Sequence, residues 1–143
     1  MGKHLIFVYG TLKRGFVRYS ALREQRYIGI ACTEPKYAMF GYGGFPALVD
    51  QTLAEASNVT AEKRIYGELF EVDDACVQEL DKIEGTDRGL FERRDVALGP
   101  VTMTSLPSDE AVWNSLGRKV AQAYFFKKNV NGCADCGSLW VQK

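Results

Sequence analysis

Between Arg64 and Val72 the chain alternates: Ile65, Gly67 and Leu69 oppose Tyr66, Glu68 and Phe70. A period of two belongs to a strand whose two faces meet different surroundings, so this segment predicts a β-strand that needs partners. Candidates are plentiful. His4 to Tyr9 is an apolar run rich in β-formers, and Arg26 to Cys32, Tyr37 to Tyr42, Phe91 to Leu98 and Lys119 to Lys127 have similar character. Helical pattern is confined to Ala75–Ile83, behind the caps Asp73 and Asp74, with a short helix from about Val17 to Glu24. Pro46 in Phe45–Val49 argues for an edge or a loop there. Ser105 to Gly117 shows no assignable pattern, and the chain after Asn129 reads as a tail. Strands that outnumber scattered helices predict an α+β fold on a mixed, curled sheet.

The 143 residues suit a single domain spanning 1–143, and 46% hydrophobic residues suit one buried core. Eighteen basic residues balance eighteen acidic ones, which gives no charge-based reason to expect nucleic acid or a membrane surface as partner. The polar start and short first strand predict no secretory leader, and no stretch is long enough for a transmembrane helix, so a cytoplasmic location is expected. There the four cysteines are expected as free thiols, and Asn58-Val59-Thr60 as an unmodified polar loop.

Several kinds of chemistry are disfavoured by composition. His4 is the only histidine, which argues against a histidine-based triad, and its place at a strand start predicts a solvated residue. Walker and zinc-protease motifs are missing. Phe40-Gly41-Tyr42-Gly43-Gly44-Phe45-Pro46 resembles a dinucleotide loop, but Pro46 stands where the last glycine belongs. Cys133-Ala134-Asp135-Cys136 supplies two of the four ligands a structural zinc needs, and is expected to be an incidental thiol pair.

Two features remain. On a helical wheel Val77, Leu80 and Glu84 share one stripe, which places a carboxylate on the apolar face just before Gly85. A helix-terminal glutamate that bends into solvent fits the same spacing. Arg93 and Arg94 offer it, or a substrate, a partner. The loop Tyr9-Gly10-Thr11-Leu12 ends the first strand at a glycine, where successive backbone N–H groups can converge on an anion. Most such turns only turn.

Taken together, Phe7 to Gly15, Gly44 to Val49, Gly67 to Val72, Leu80 to Gly85, Leu90 to Arg94 and Ala121 to Tyr124 stand in the order found in the γ-glutamylcyclotransferase-like family, which includes γ-glutamylamine cyclotransferases and AIG2-like proteins. No one segment is specific, whereas the ordered set resembles that family across most of the chain. The resemblance implies a mixed β-barrel flanked by short helices. It implies that Tyr9, Gly10, Thr11 and Leu12 hold the glutamyl end of a small γ-glutamyl substrate and that Glu84 is the general acid/base. Phe91 and Tyr124 are expected to line the cavity. The reaction so implied, release of 5-oxoproline from a γ-glutamyl amine or amino acid, uses no cofactor and no metal.

Two departures bear on substrate choice: Arg18-Tyr19 stands where the family often has Asn or Asn-His, and Phe91 where it often has tyrosine. A barrel that binds a small molecule without turnover is the alternative expectation. A further alternative is an interaction protein docking through 105–117, the cysteine tail, or an apolar patch at Trp113 or Trp140.

Overall fold

Along the first strand, successive side chains feed two different cores. Ile6 and Val8 join one apolar cluster, and Leu5, Phe7 and Tyr9 join another. Both faces are buried, which is why this segment reads as a continuous apolar run instead of an alternation. The computed structural model describes residues 2–16 and 18–140. Its strands are β1 (His4–Val8), β2 (Arg26–Thr33), β3 (Ala38–Tyr42), β4 (Phe45–Val49), β5 (Tyr66–Val72), β6 (Phe91–Met103), β7 (Val120–Phe126) and β8 (Ala134–Asp135). The helices are α1 (Gln51–Ala56), α2 (Asp74–Ile83) and α3 (Glu110–Gly117).

Hydrogen bonding follows the order β1-β5-β2-β6-β7, and a pairing of β1 with β7 closes these five strands into a barrel. That closing pair is parallel, with Ile6 opposite Gln122, whereas the other four pairings are antiparallel. Beyond β7 the sheet continues through β4 and β3 to β8. The expected mixed barrel with short helices is what the chain forms. Cys76, Val77 and Leu80 of α2 and Ala54 of α1 pack onto the cluster that takes Ile6 and Val8. Among the described residues no helix is long and apolar enough to cross a membrane.

Four local expectations change. β4 is neither loop nor edge: it lies between β3 and β7, with Leu48 opposite Phe125. Pro46 is tolerated because the β7 contact falls two residues later, leaving its ring free to pack on Gly10. The unassigned stretch 105–117 ends in helix α3, capped by the Asp109 side chain on Ala111 N–H at 2.8 Å. Its lead-in is fixed from afar, since the buried Glu71 carboxylate of β5 accepts from Ser108 Oγ and from the N–H groups of Ser108 and Asp109. The tail contributes the two-residue β8. Helix in the region 17–24 reduces to a 3-10 turn, Tyr19–Leu22, and Val17 lies outside the described residues.

Candidate active site

Helix α2 begins where Asp73 Oδ1 accepts the Cys76 N–H at 2.8 Å and stops at Glu84, whose N–H still reaches Leu80 C=O at 2.9 Å. Gly85 follows at φ +69°, a left-handed turn that ends the helix at little cost only for glycine. Glu84 is thereby carried on the last turn of an amphipathic helix, with Val77 and Leu80 buried beside it. It faces a cavity of about 80 Å³.

The opposite wall is the loop after β1. Lys13 N–H donates to Gly10 C=O (3.1 Å) and Arg18 N–H to Thr11 C=O (2.7 Å), so two of its carbonyls are tied down. The N–H groups of Gly10, Thr11 and Leu12 donate to no group among the described residues, and all three residues line the cavity. Unsatisfied donors at a buried loop suit an anion or a carbonyl oxygen. Gly10 is required here by crowding: a Cβ at that position would lie 2.5 Å from the Pro46 ring. Lys13, itself buried, reaches the Trp140 carbonyl at 2.8 Å and straps the loop to the C-terminal segment.

Tyr9, Phe91 and Tyr124 complete the walls together with Phe45 and Pro46. The Tyr9 hydroxyl donates to Tyr124 C=O at 2.8 Å and accepts from Leu48 N–H at 3.2 Å, so this residue offers the cavity its ring and backbone. Burial, and then the nearby Glu84 charge, push its phenol well above the usual range. Tyr124 donates to Asp81 Oδ1 at 2.7 Å, and burial followed by that bond keeps it a phenol too. Phe91 packs as a tilted ring at 5.7 Å from Phe45 and 5.2 Å from Phe126, forming an apolar side without a hydroxyl.

Burial raises the Glu84 carboxyl to about 7, against a smaller opposing pull from the Arg18 guanidinium. No hydrogen bond or ion pair to its carboxylate occurs among the described residues. A carboxyl poised near neutrality and aimed at a cavity can take up and return a proton at physiological pH.

All seven residues singled out from the sequence (Tyr9, Gly10, Thr11, Leu12, Glu84, Phe91 and Tyr124) surround this one cavity. Arg93 and Arg94 do not. Neighbours in a strand point to opposite faces, and Arg93 holds Asp81 (3.0 Å) and Gln122 (2.7 Å) while Arg94 holds Asp50 (2.9 Å) and Glu92 (2.8 Å). The cations that do line the cavity are Arg18 and Arg88. Arg18 was visible only as a departure at its position, and Arg88 carried no sequence signal, because a 3-10 turn after Gly85 brings it there.

Elsewhere, His4 is paired with Asp74 at 2.6 Å instead of standing free in solvent. Cys133 and Cys136 are unpaired thiols, and burial pushes the Cys136 thiol up, away from nucleophilic thiolate. Among the described residues, no group of three or more His, Cys, Asp or Glu side chains is placed to hold a metal ion. Trp140 packs against the core, whereas Trp113 is exposed.

Residues 6–140 match the family model described as γ-glutamyl cyclotransferase, AIG2-like. A Vibrio cholerae protein provisionally named a γ-glutamylcyclotransferase is 32% identical over 98 residues, 68% of this chain and 75% of the relative. A similarly named protein of Methanocaldococcus jannaschii is 32% identical over 81 residues, 56% of this chain and 60% of its own length. The crystal structure of a mouse AIG2-like protein superposes with a TM-score of 0.63 at 20% identity, covering 90% of this chain and 78% of the mouse chain.

Proposed function

Because the chain belongs to the γ-glutamyl cyclotransferase, AIG2-like family, we propose that it cyclises γ-glutamyl amines or γ-glutamyl amino acids, releasing 5-oxoproline and a free amine. The observation that carries this reading is the carboxyl of Glu84, lifted to about 7 in a cavity whose facing wall is a loop with three N–H groups that donate to no described residue.

In the proposed reaction the substrate's α-amino nitrogen attacks its own γ-carbonyl carbon. The new C–N bond closes a five-membered ring, the old amide C–N bond breaks, and the leaving nitrogen departs with an added proton. No protein nucleophile is needed. The protein's first task is to fold the glutamyl chain for attack, and aligned intramolecular reactions reach effective molarities of about 10⁵–10⁸ M. In this reading the Gly10 to Leu12 amides hold the polar glutamyl end, and Phe91 and Tyr124 confine its methylenes.

The second task is moving a proton. An α-ammonium of pKa roughly 8 would lose its proton to an ordinary glutamate at a cost of about 5 kcal/mol. With Glu84 at about 7 the gap narrows to roughly one unit, about 1.4 kcal/mol. The same carboxylic acid then returns the proton to the leaving nitrogen, so one group serves as base and as acid.

Incubation with a panel of γ-glutamyl amines and peptides, scored for 5-oxoproline, tests the reading. Glu84→Gln keeps size and hydrogen bonding but cannot accept a proton, and should lower turnover roughly 10²–10⁴-fold with little change in affinity. Release at the wild-type rate by this variant would remove Glu84 from the chemistry. Tight binding of panel members without any release would leave a ligand-binding barrel.

A further inference from the structure

Within one helical turn of Glu84, helix α2 carries a second carboxylate, Asp81, which does not line the cavity. Its Oδ1 accepts from the Tyr124 hydroxyl at 2.7 Å and from Arg93 Nε at 3.0 Å, and its Oδ2 accepts from Arg93 Nη2 at 3.4 Å. Arg93 stands opposite Tyr124 in the β6–β7 ladder, and its Nη1 donates at 2.7 Å to Gln122, the neighbour of Tyr124 on the same face of β7. A guanidinium held by an amide on one side thereby aims the carboxylate on its other side. Tyr124 is held at both ends: its carbonyl accepts from the Tyr9 hydroxyl at 2.8 Å, and its own hydroxyl ends on Asp81.

These contacts set the polarity of one hydrogen bond. An ion-paired carboxylate only accepts, and a phenol has a single hydrogen to give. With that hydrogen on Asp81, the Tyr124 oxygen keeps only lone pairs for another partner. Burial first, and then the Asp81 bond, keep Tyr124 a phenol, and the Glu84 charge acts in the same direction. The cavity is short of acceptors. Its lining side chains with oxygen are Tyr9, Thr11, Glu84 and Tyr124, against the guanidiniums of Arg18 and Arg88 and the N–H groups of the Gly10 to Leu12 loop. The Tyr9 hydroxyl is already occupied by the Tyr124 carbonyl and the Leu48 N–H. A γ-glutamyl substrate brings an α-ammonium, whose N–H groups can only donate.

We propose that Asp81 is a positioning residue for the reaction: by holding the Tyr124 hydrogen it turns that hydroxyl into an acceptor for the substrate's α-ammonium. The role rests on the cyclotransferase reading of the same cavity. Tyr124 touches the substrate and Asp81 does not. The Tyr124 oxygen takes one N–H of the nitrogen, and Glu84 takes another. When Glu84 removes its proton, the nitrogen's electron pair is free to form the C–N bond to the γ-carbonyl carbon. The remaining bond to Tyr124 keeps the nitrogen from turning away, while the tyrosine ring confines the methylenes.

The test compares γ-glutamyl-alanine with glutaryl-alanine, which lacks only the α-amino group and cannot cyclise. Both affinities are measured by calorimetry in Glu84→Gln protein, where turnover is suppressed, and their ratio reads recognition of the ammonium alone. Adding Tyr124→Phe should lower that ratio roughly 10–100-fold, the worth of a hydrogen bond to a charged group. Adding Asp81→Ala instead should lower it roughly 5–20-fold, because the hydroxyl remains but its hydrogen is no longer held away. Asp81→Asn keeps an acceptor without the charge and should restore most of that loss. Once Tyr124 is phenylalanine, Asp81→Ala should change the ratio by no more than about twofold, the coupling expected of a residue that acts through another. Equal losses in Asp81→Ala and Asp81→Asn, or an undiminished loss beside Tyr124→Phe, overturn the proposal in favour of plain charge or packing. Should Asp81→Ala fail to fold, Tyr124→Phe decides, since a ratio it leaves unchanged overturns the proposal. Release of 5-oxoproline by protein with Glu84 intact, together with a ratio indifferent to Asp81, overturns the positioning role and leaves the cyclotransferase standing. The expected ratios without any release support the positioning role and retire the reaction.

Discussion

Burial lifts the Glu84 carboxyl to about 7, while in the unfolded chain it titrates as an ordinary glutamate near about 4.3. A carboxyl whose folded pKa is raised favours the native state while it stays protonated. That contribution is complete below the unfolded pKa and is lost as pH rises through the folded one. Glu84→Gln removes the ionisation, so we expect the variant to gain stability over wild type as pH rises from 4 to 8. The gain should approach roughly 3 kcal/mol, at about 1.36 kcal/mol per unit. Urea melts at the two pH values check this, and an unchanged difference between variant and wild type would contradict a buried, neutral-leaning Glu84. Wild-type turnover should run the other way, rising with an apparent pKa near 7 as the base ionises. Glu84 was legible because a helical stripe needs only local spacing. Its charge partner was not, because Arg18 arrives from a loop that only the tertiary fold brings to the end of α2.

Elements that are long and patterned were readable, and those positioned by distant contacts were not. α2 announced both its cap and its stop, whereas α1 has six residues and too few turns to show a period. α3 carries a local cap in Asp109, but its eight residues are too few to show a clear period and its lead-in is pinned from afar by Glu71 of β5. Pro46 misled because a proline is excluded from a ladder only where its missing N–H was needed. The two ends of α2 support distinct expectations. Asp73→Ala removes the side-chain acceptor for Cys76 N–H and should cost about 1 kcal/mol, as helix caps usually do. Gly85→Ala places a Cβ in left-handed backbone and against the Arg88 guanidinium, so its cost should exceed about 1 kcal/mol. Parallel melts of the two variants compare the two ends.

Barrel closure rests on a parallel contact between β1 and β7, the first and the last of the five barrel strands in the sequence. Such a seam closes a long loop and is held by few backbone pairings, so side-chain bonds across it count for more than they would inside a hairpin. Tyr9 provides them: its hydroxyl binds the Tyr124 carbonyl of β7 and the Leu48 N–H of β4, joining three strands beside the cavity. The hydroxyl is fully buried, and removing it orphans a carbonyl and an N–H in a place water does not readily reach. We therefore expect Tyr9→Phe to cost about 1–3 kcal/mol, a loss of a few degrees in Tm for a chain of this size. Tyr66→Phe serves as the control, since that residue is 49% exposed and its hydroxyl bonds no other described residue, and it should change stability by less than about 0.5 kcal/mol. Hydrogen exchange locates the effect: loss of protection should concentrate at the ends of β1 and β7 and at Leu48, and spare the β2–β5 ladder. If Tyr9→Phe melts with wild type, or if protection falls evenly over the barrel, the hydroxyl does not hold the seam. The wall of the cavity would then owe its shape to apolar packing alone.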